Sequence, residues 1–359
     1  MQPSDPTWNE LDSEDLEGSF DDLSGPPDSQ ARWVRHGTHL VPDTVGEERL
    51  DRYLSSRFNY RTRTQWVQII KSGRVQVNGS VVRPSQPLRP GFRIDYEPEP
   101  IAEPSVSFEI GLLHEDSSLL AVDKPGDLPV HPSGRYFRNT LLSHLLEERG
   151  QTLDRPGLRV VHRLDRETSG VIVFGKTREV AGALGQQFET RTAKKRYLLV
   201  VHGAPNEEEF EVDGALGPRR NSRIRKAVGV VPEGEGRPAR TEFQVLARGE
   251  HHSLLLARPL TGRLHQIRVH VQHAGFPIVG DKMYGLDEGI FLRFISGEEL
   301  GPEDTARLVH PRQALHAYTL SLTHPATGAA FELRAPLPAD LQELCARLGL
   351  SIPNEITAP

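Results

Sequence analysis

The sequence reads as an α+β protein: a mixed, mainly antiparallel sheet with a small separate domain in front of it. Three observations carry that reading. Short β-prone runs recur over residues 106–345 with short helical stretches between them, the βαβ rhythm of a parallel sheet is missing, and no Gly-rich dinucleotide loop follows a strand. A chain of 359 residues suits about two domains, and 36% hydrophobic content is enough for packed cores. No apolar run reaches the roughly 18 residues of a membrane span, and the start, MQPSDPTWNELDSEDLEG, is too acidic for a secretory or transit signal. A cytoplasmic location is expected, with no membrane contact.

The net charge of −6 is unevenly spread. Residues 1–30 hold nine Asp or Glu and no Lys or Arg, which leaves 43 basic against 40 acidic residues in the rest. Residues 1–42 have the composition of a disordered acidic tail, because they carry too little apolar surface to order themselves. Cys345 is the single cysteine, which excludes an internal disulfide and a thiolate metal cluster; its Ala, Leu and Arg neighbours place it in a buried helix. The 15 histidines are scattered without an HExxH or comparable ligand spacing, so no metal is expected.

Residues 44–98 form the small domain. Leu50, Tyr53, Leu54 and Phe58 make one helical stripe, and Trp66, Val67, Ile69 and Ile70 make a second helix with Thr62 or Thr64 as N-cap and Gly73 as its end. Asn78-Gly79 between two β-prone runs signals a hairpin. FRIDYE is the closing strand. With ten Arg or Lys against five acids, this is the basic part of the chain. Residues 99–105 are a Pro-containing linker, and 346–359 a C-terminal tail.

The second domain, 106–345, begins with the apolar strand LLAVDKPG and a helix capped by Thr140. HRLDRETSG, residues 162–170, packs His, two Arg, Asp, Glu and two hydroxyls ahead of the buried strand VIVFGKT, so Asp165 sits where a carboxylate can be aimed. The residues alone also allow a plain turn that bonds its own backbone. Val180, Leu184 and Phe188 share a helical face, KKRYLLVVHG is a strand, and ARTEFQVLAR with HSLLLARPL is an antiparallel pair. Pro218–Pro238 is basic and rich in Gly and Pro, which makes it a surface loop able to face RNA. In TGRLHQIRVHVQHAGFPIVGDKMYG the apolar residues fit both a strand and a helix, and periodicity leaves the two open.

HRLDRETSG, KKRYLLVVHG, TGRLHQIRVH, GFPIVGDKMYG and LHAYTLSLTHP, in that order, resemble the RluA-type RNA pseudouridine synthase family over about residues 106–338. Residues 44–98 resemble the S4-like RNA-binding domain that accompanies its larger members. The resemblance implies isomerisation of uridine to pseudouridine in structured RNA, ribosomal or transfer, by a monomer needing no cofactor, metal or obligatory protein partner. It implies Asp165 as the essential aspartate, Tyr197 as the tyrosine that stacks on the base, and Arg268 as the arginine paired with Asp165. Ile267 lines the base and Arg163 fills space around the extruded nucleotide; His162, Arg263 and His265 are assigned to substrate binding. Lys282-Met283 departs from less bulky or proline-containing variants, and DLPVHPSGRYFRNT is closer to the tRNA-directed members.

Three other readings are weaker. A non-catalytic RNA binder would have no need of Asp165, Tyr197 and Arg268 together. A glycoside hydrolase needs a second placed carboxylate, and Glu167, two residues along an extended segment, would point away. A protein kinase, from the likeness of HRLD to HRD, lacks the phosphate loop and DFG.

Overall fold

The computed structural model describes residues 32–33, 37–44, 46–58, 62–97, 101–132, 136, 138–153, 156–224, 227–285, 287–296 and 298–357. Most of the expected acidic tail, 1–31, lies outside the described residues. The chain divides into two units, residues 1–104 with 133–137, and residues 105–132 with 138–359.

The first unit runs β1 (Arg32–Trp33), β2 (Gly37–Leu40), β3 (Glu48–Arg49), α1 (Leu50–Arg57), α2 (Arg63–Lys71), β4 (Val75–Val77), β5 (Ser80–Val81), β6 (Pro87–Leu88), β7 (Arg93–Tyr96) and β8 (Ile101–Ala102). Local chemistry accounts for most of it. Thr62 is the N-cap of α2 in a reciprocal capping box: its hydroxyl accepts from Gln65 N, and Gln65 Oε1 accepts from Thr62 N at 2.8 Å. Gly73, at φ +77°, ends the helix. Asn78 and Gly79 both have positive φ, as a tight hairpin turn between β4 and β5 requires. Leu50, Leu54, Trp66, Ile70, Val75 and Ile94 are fully buried, so the helical stripes face the sheet β2-β7-β4-β5.

Two expectations are corrected here. The tail does not extend to residue 42: β2 pairs with β7, Val41 is buried, and His39 Nε2 lies 2.6 Å from Tyr53 Oη. The linker 99–105 is not plain linker, since β8 pairs with β1. In both places a few apolar or β-prone residues find partners more than fifty residues away, and composition averaged over a window does not register that.

The second unit runs β9 (Gly111–Glu115), β10 (Leu119–Lys124), α3 (Leu141–Glu147), β11 (Arg159–Val160), β12 (Ser169–Gly175), α4 (Arg178–Glu189), β13 (Lys194–His202), β14 (Glu209–Asp213), β15 (Leu216–Pro218), β16 (Val228–Val230), β17 (Arg240–Arg248), β18 (His252–Pro259), α5 (Gln266–His273), α6 (Glu288–Ser296), α7 (Pro302–Leu308), β19 (Leu315–Thr323), β20 (Ala330–Arg334), α8 (Ala339–Arg347) and α9 (Asn354–Thr357). One sheet has the order β14-β17-β18-β13-β19-β12-β10-β9, with β11 beside β12 and β20 beside β19. Its pairs are antiparallel except β12 with β19. That parallel contact is short and close: Gly170 has φ +111°, and a Cβ there would lie 2.2 Å from the Ala317 carbonyl oxygen. Every residue of β12 is buried.

Of the expected C-terminal tail 346–359, the described residues 346–357 are part of this core. Leu350 and Ile356 are buried beside Leu341 and Leu344 of α8, and Tyr318 Oη donates to Glu355 O. The expected surface loop 218–238 is in part a hairpin, β15 with β16, whose Val228 and Val230 pack on Val269 and Tyr284. Ile224 and Ala227 within it are also buried. Its charge count hid an apolar minority.

Candidate active site

The stretch ahead of β12 is a turn, with Thr168 N donating to Asp165 O at 3.1 Å. The plain-turn reading is therefore right for the backbone, yet the Asp165 side chain is committed elsewhere. Its Oδ2 accepts from Arg268 Nη1 at 2.6 Å, and the carboxylate remains 26% exposed.

Arg268 lies on α5, and the structure decides the ambiguity of that stretch in favour of a helix. Gln266 to Val271 are all buried, polar and apolar positions alike, which is why the spacing of the apolar residues fits a strand as well as a helix. Gln266 organises the helix start, accepting from Thr261 Oγ1 and Arg263 N and donating to Arg240 O. Arg268 also holds Asp281, Nε to Oδ2 at 2.7 Å and Nη2 to Oδ1 at 2.9 Å. Asp281 accepts further from the amides of Met283 and Tyr284. The guanidinium thus joins two carboxylates from separate loops, and it lies 4.9 Å from the Tyr284 ring centre.

Burial would push the Asp165 carboxyl up, but the charge of Arg268 and hydrogen bonds from Arg268 and Gln313 hold it well below the usual carboxylate range. Burial also pushes His265 down, to about 4, so its ring is neutral at neutral pH and Arg268 supplies the attraction. His265 has φ +55°, an uncommon backbone region for a non-glycine residue. Its Nδ1 lies 2.7 Å from Tyr284 Oη and its Nε2 3.9 Å from Asp165 Oδ1. Tyr284 Oη accepts from Val228 N, so its own proton can go to His265 Nδ1, leaving Nε2–H toward Asp165.

Tyr197 on β13 packs against the cores on both sides of it, and burial together with the charge of Asp165 raises its hydroxyl, which stays protonated at neutral pH. Ile267 is buried on α5. Arg163 is exposed, and its charge acts on His265. Arg263 Nε donates to Pro238 O, and Arg237 and Arg191 act on it electrostatically. His162 is not brought to this cluster: its ring stacks on Phe188 of α4 at 4.6 Å, and Nε2 accepts the Val173 amide. Burial pushes it down to about 3, so it is a neutral packing residue.

The RNA pseudouridylate synthase family matches residues 118–273 and the S4 domain family residues 48–94. The RNA pseudouridine synthase YlyB of Bacillus subtilis is 34% identical over 309 residues, covering 84% of this chain and 94% of its own. The ribosomal large subunit pseudouridine synthase D of Pseudomonas aeruginosa is 35% identical over 308 residues, covering 84% and 92%. The chain belongs to the RNA pseudouridine synthase family.

It is therefore an isomerase acting on RNA. Among solved structures, human RNA pseudouridylate synthase domain containing 4 matches this synthase with a TM-score of 0.53 at 28% identity, covering 68% of this chain and 95% of that one.

Several groups around Asp165 in this synthase were not singled out from the sequence. Lys124, with no exposed surface, donates from Nζ to the carbonyls of Pro125, Leu128 and Arg166, and burial pushes it down to about 7. Arg312 donates to Glu167 O and is paired with Asp340 at 2.6 Å. Gln313 Nε2 donates to Thr168 Oγ1 at 2.6 Å. Asp281 stood in view within GDKMYG, but nothing local marks which of that stretch's polar groups turns inward. A charged residue closing an apolar strand, as Lys124 does, was the one signal that could have been used.

His114, Asp116 and His324 also come together, with ligand atoms all within 4.8 Å of one another. His324 Nδ1 accepts from the amides of Ala326 and Thr327, which leaves the proton on Nε2 facing Asp116 at 2.8 Å. With Nε2 protonated, the lone pair a metal would need is absent from that side of the ring, and the pair acts as a hydrogen-bonded clasp.

Proposed function

We propose that this synthase isomerises uridine in large-subunit ribosomal RNA, with Asp165 as catalytic residue on a flipped-out uridine. The observation that carries the reading is a partly open carboxylate kept charged by a buried guanidinium that a second carboxylate holds in place. A base inside a helix presents neither C1′ nor C5 to a side chain, so the nucleotide must leave the stack. The C1′–N1 bond breaks, a C1′–C5 bond forms, C5 loses its proton and N1 gains one. Attack at C1′ and removal of a sugar proton both need Asp165 ionised, which Arg268 provides.

Tyr197, protonated and flanked by apolar side chains, offers a stacking face, and Ile267 an apolar wall for the base. Arg163, Arg263 and His265 meet the nucleotide and its neighbours. Residues 44–98 form a separate module whose cations hold the RNA backbone without reading the base. The protein acts as a cytoplasmic monomer, and every step named here uses side chains alone. The ribosomal choice follows the names of relatives such as the Pseudomonas aeruginosa protein.

The test is incubation of the purified protein and of Asp165→Asn with large-subunit ribosomal RNA and with bulk tRNA, followed by pseudouridine mapping. Modification of ribosomal RNA by the wild type alone is expected. Modification of tRNA alone would overturn the substrate, and activity in Asp165→Asn would overturn the site.

A further inference from the structure

Arg268 is not the sole bridge between the Asp165 turn and the loop after Gly280. Lys282, next to Asp281, is 7% exposed, and its Nζ donates to Glu167 Oε1 at 2.8 Å and to the Pro311 carbonyl at 2.6 Å. The same nitrogen lies 4.9 Å from the centre of the Phe294 ring on α6. Glu167 is equally engaged: Oε1 also takes Arg166 Nη2 at 3.2 Å, and Oε2 takes the Gln313 amide at 3.1 Å. Buried ion pairs add little net stability over apolar side chains of the same size, but they fix how two segments sit against each other. Lys282 is spent on Glu167, Pro311 and Phe294, which leaves it poorly placed to meet an RNA phosphate.

We propose that Lys282 and Glu167 are positioning residues, forming a second tether parallel to Asp165–Arg268–Asp281 that fixes the turn in the orientation Asp165 needs to meet the flipped uridine. The inference rests on the function proposed above. Lys124 and Arg312 hold carbonyls of the turn and Gln313 holds Thr168 and Glu167, while Arg268 and Lys282 bring cations from outside the turn to its carboxylates, so losing Lys282 loosens the side-chain face of the turn while its backbone contacts remain. A misplacement of about 1 Å at a reacting group can cost ~100-fold in rate. The segment expected to be extended is a turn, and Glu167 is tied down in it by Lys282.

The experiment is a double-mutant cycle with Lys282→Met, which keeps length and packing, Glu167→Gln, which keeps an acceptor for Gln313, and the pair together. Turnover and RNA KM are measured separately, and amide hydrogen exchange over residues 162–170 is followed without RNA. Expected are a ~10- to 100-fold fall in kcat in each single variant with KM within about two-fold, no further loss in the double variant, and faster exchange in the turn. Unchanged kcat in folded Lys282→Met, losses that multiply in the double variant, or a loss confined to KM would each overturn the tether. A wild type that forms no pseudouridine would instead overturn the function, and exchange would still report whether Lys282 holds the turn.

Discussion

The small N-terminal unit and the Asp165 turn handle charge in opposite ways. In the first, Asp51 is buried and met by Arg49 and Arg63, two and twelve residues away, both still about half exposed. Around the turn the partners are buried too and come from far along the chain: Arg268 is 103 residues from Asp165, Lys282 is 115 from Glu167 and Gln313 is 145 from Thr168. The module is a locally encoded fold with its cations turned to solvent. The turn is held only when the whole sheet has closed around it. Damage to the module should cost stability or RNA grip, whereas damage to the turn should cost chemistry.

The largest effect expected is on Asp165→Asn, nearly isosteric and still able to accept from Arg268. Turnover should fall at least ~1000-fold while the protein stays folded and RNA binding stays close to wild type. A folded variant that retains activity would remove the turn from the chemistry and end the contrast.

Arg268→Ala should damage both properties, because it leaves Asp281 buried and unpaired. A destabilisation of about 3–5 kcal/mol in denaturant unfolding is expected, with impaired turnover. The folded carboxyls of Asp165 and Asp281 both lie below the usual range, so the stability they add is complete above the unfolded carboxylate value of about 4 and is lost as pH falls through the folded values. Removing Arg268 raises both carboxyls, so acid unfolding and the acidic limb of the rate profile should move to higher pH. An acid profile identical to wild type would show that Arg268 does not keep these carboxylates charged.

Leu350→Ala tests the part of the core mistaken for a tail. It should cost about 2–5 kcal/mol in unfolding free energy with turnover per folded molecule unchanged. A cost near zero would return residues 346–359 to the status of an appendage. The smallest effect is expected at Thr62→Ala, which breaks the capping box of α2. About 1 kcal/mol should be lost from the first unit, read by hydrogen exchange over residues 63–71, with kcat at saturating RNA intact.

Legibility followed the range of the interactions. The two stripes of the first unit, a cap at Thr62 or Thr64, the Asn78-Gly79 turn and the β17–β18 pair were visible because caps, turns and period-2 or period-3.6 patterns involve neighbours in sequence, and the structure takes Thr62 as the cap. The helix carrying Arg268 was visible only as one of two alternatives, because α5 is buried from Gln266 to Val271 and its polar and apolar positions share that burial. The motifs point to Asp165, Tyr197, Arg268 and His265, and the fold brings Arg268 and His265 to Asp165. His162, from the same motif, turned inward to Phe188.

By itself the sequence determined the α+β class, the small basic domain ahead of the larger one and, through five ordered motifs, the family. Only the tertiary structure decided that residues 37–42 and 346–357 belong to packed cores, that Asp281 shares Arg268 with Asp165, and that Lys282 answers Glu167. The reason is physical. A buried charge is tolerated only where a partner meets it, and which partner does so depends on how distant segments are registered in the sheet, a relation no local pattern of residues carries.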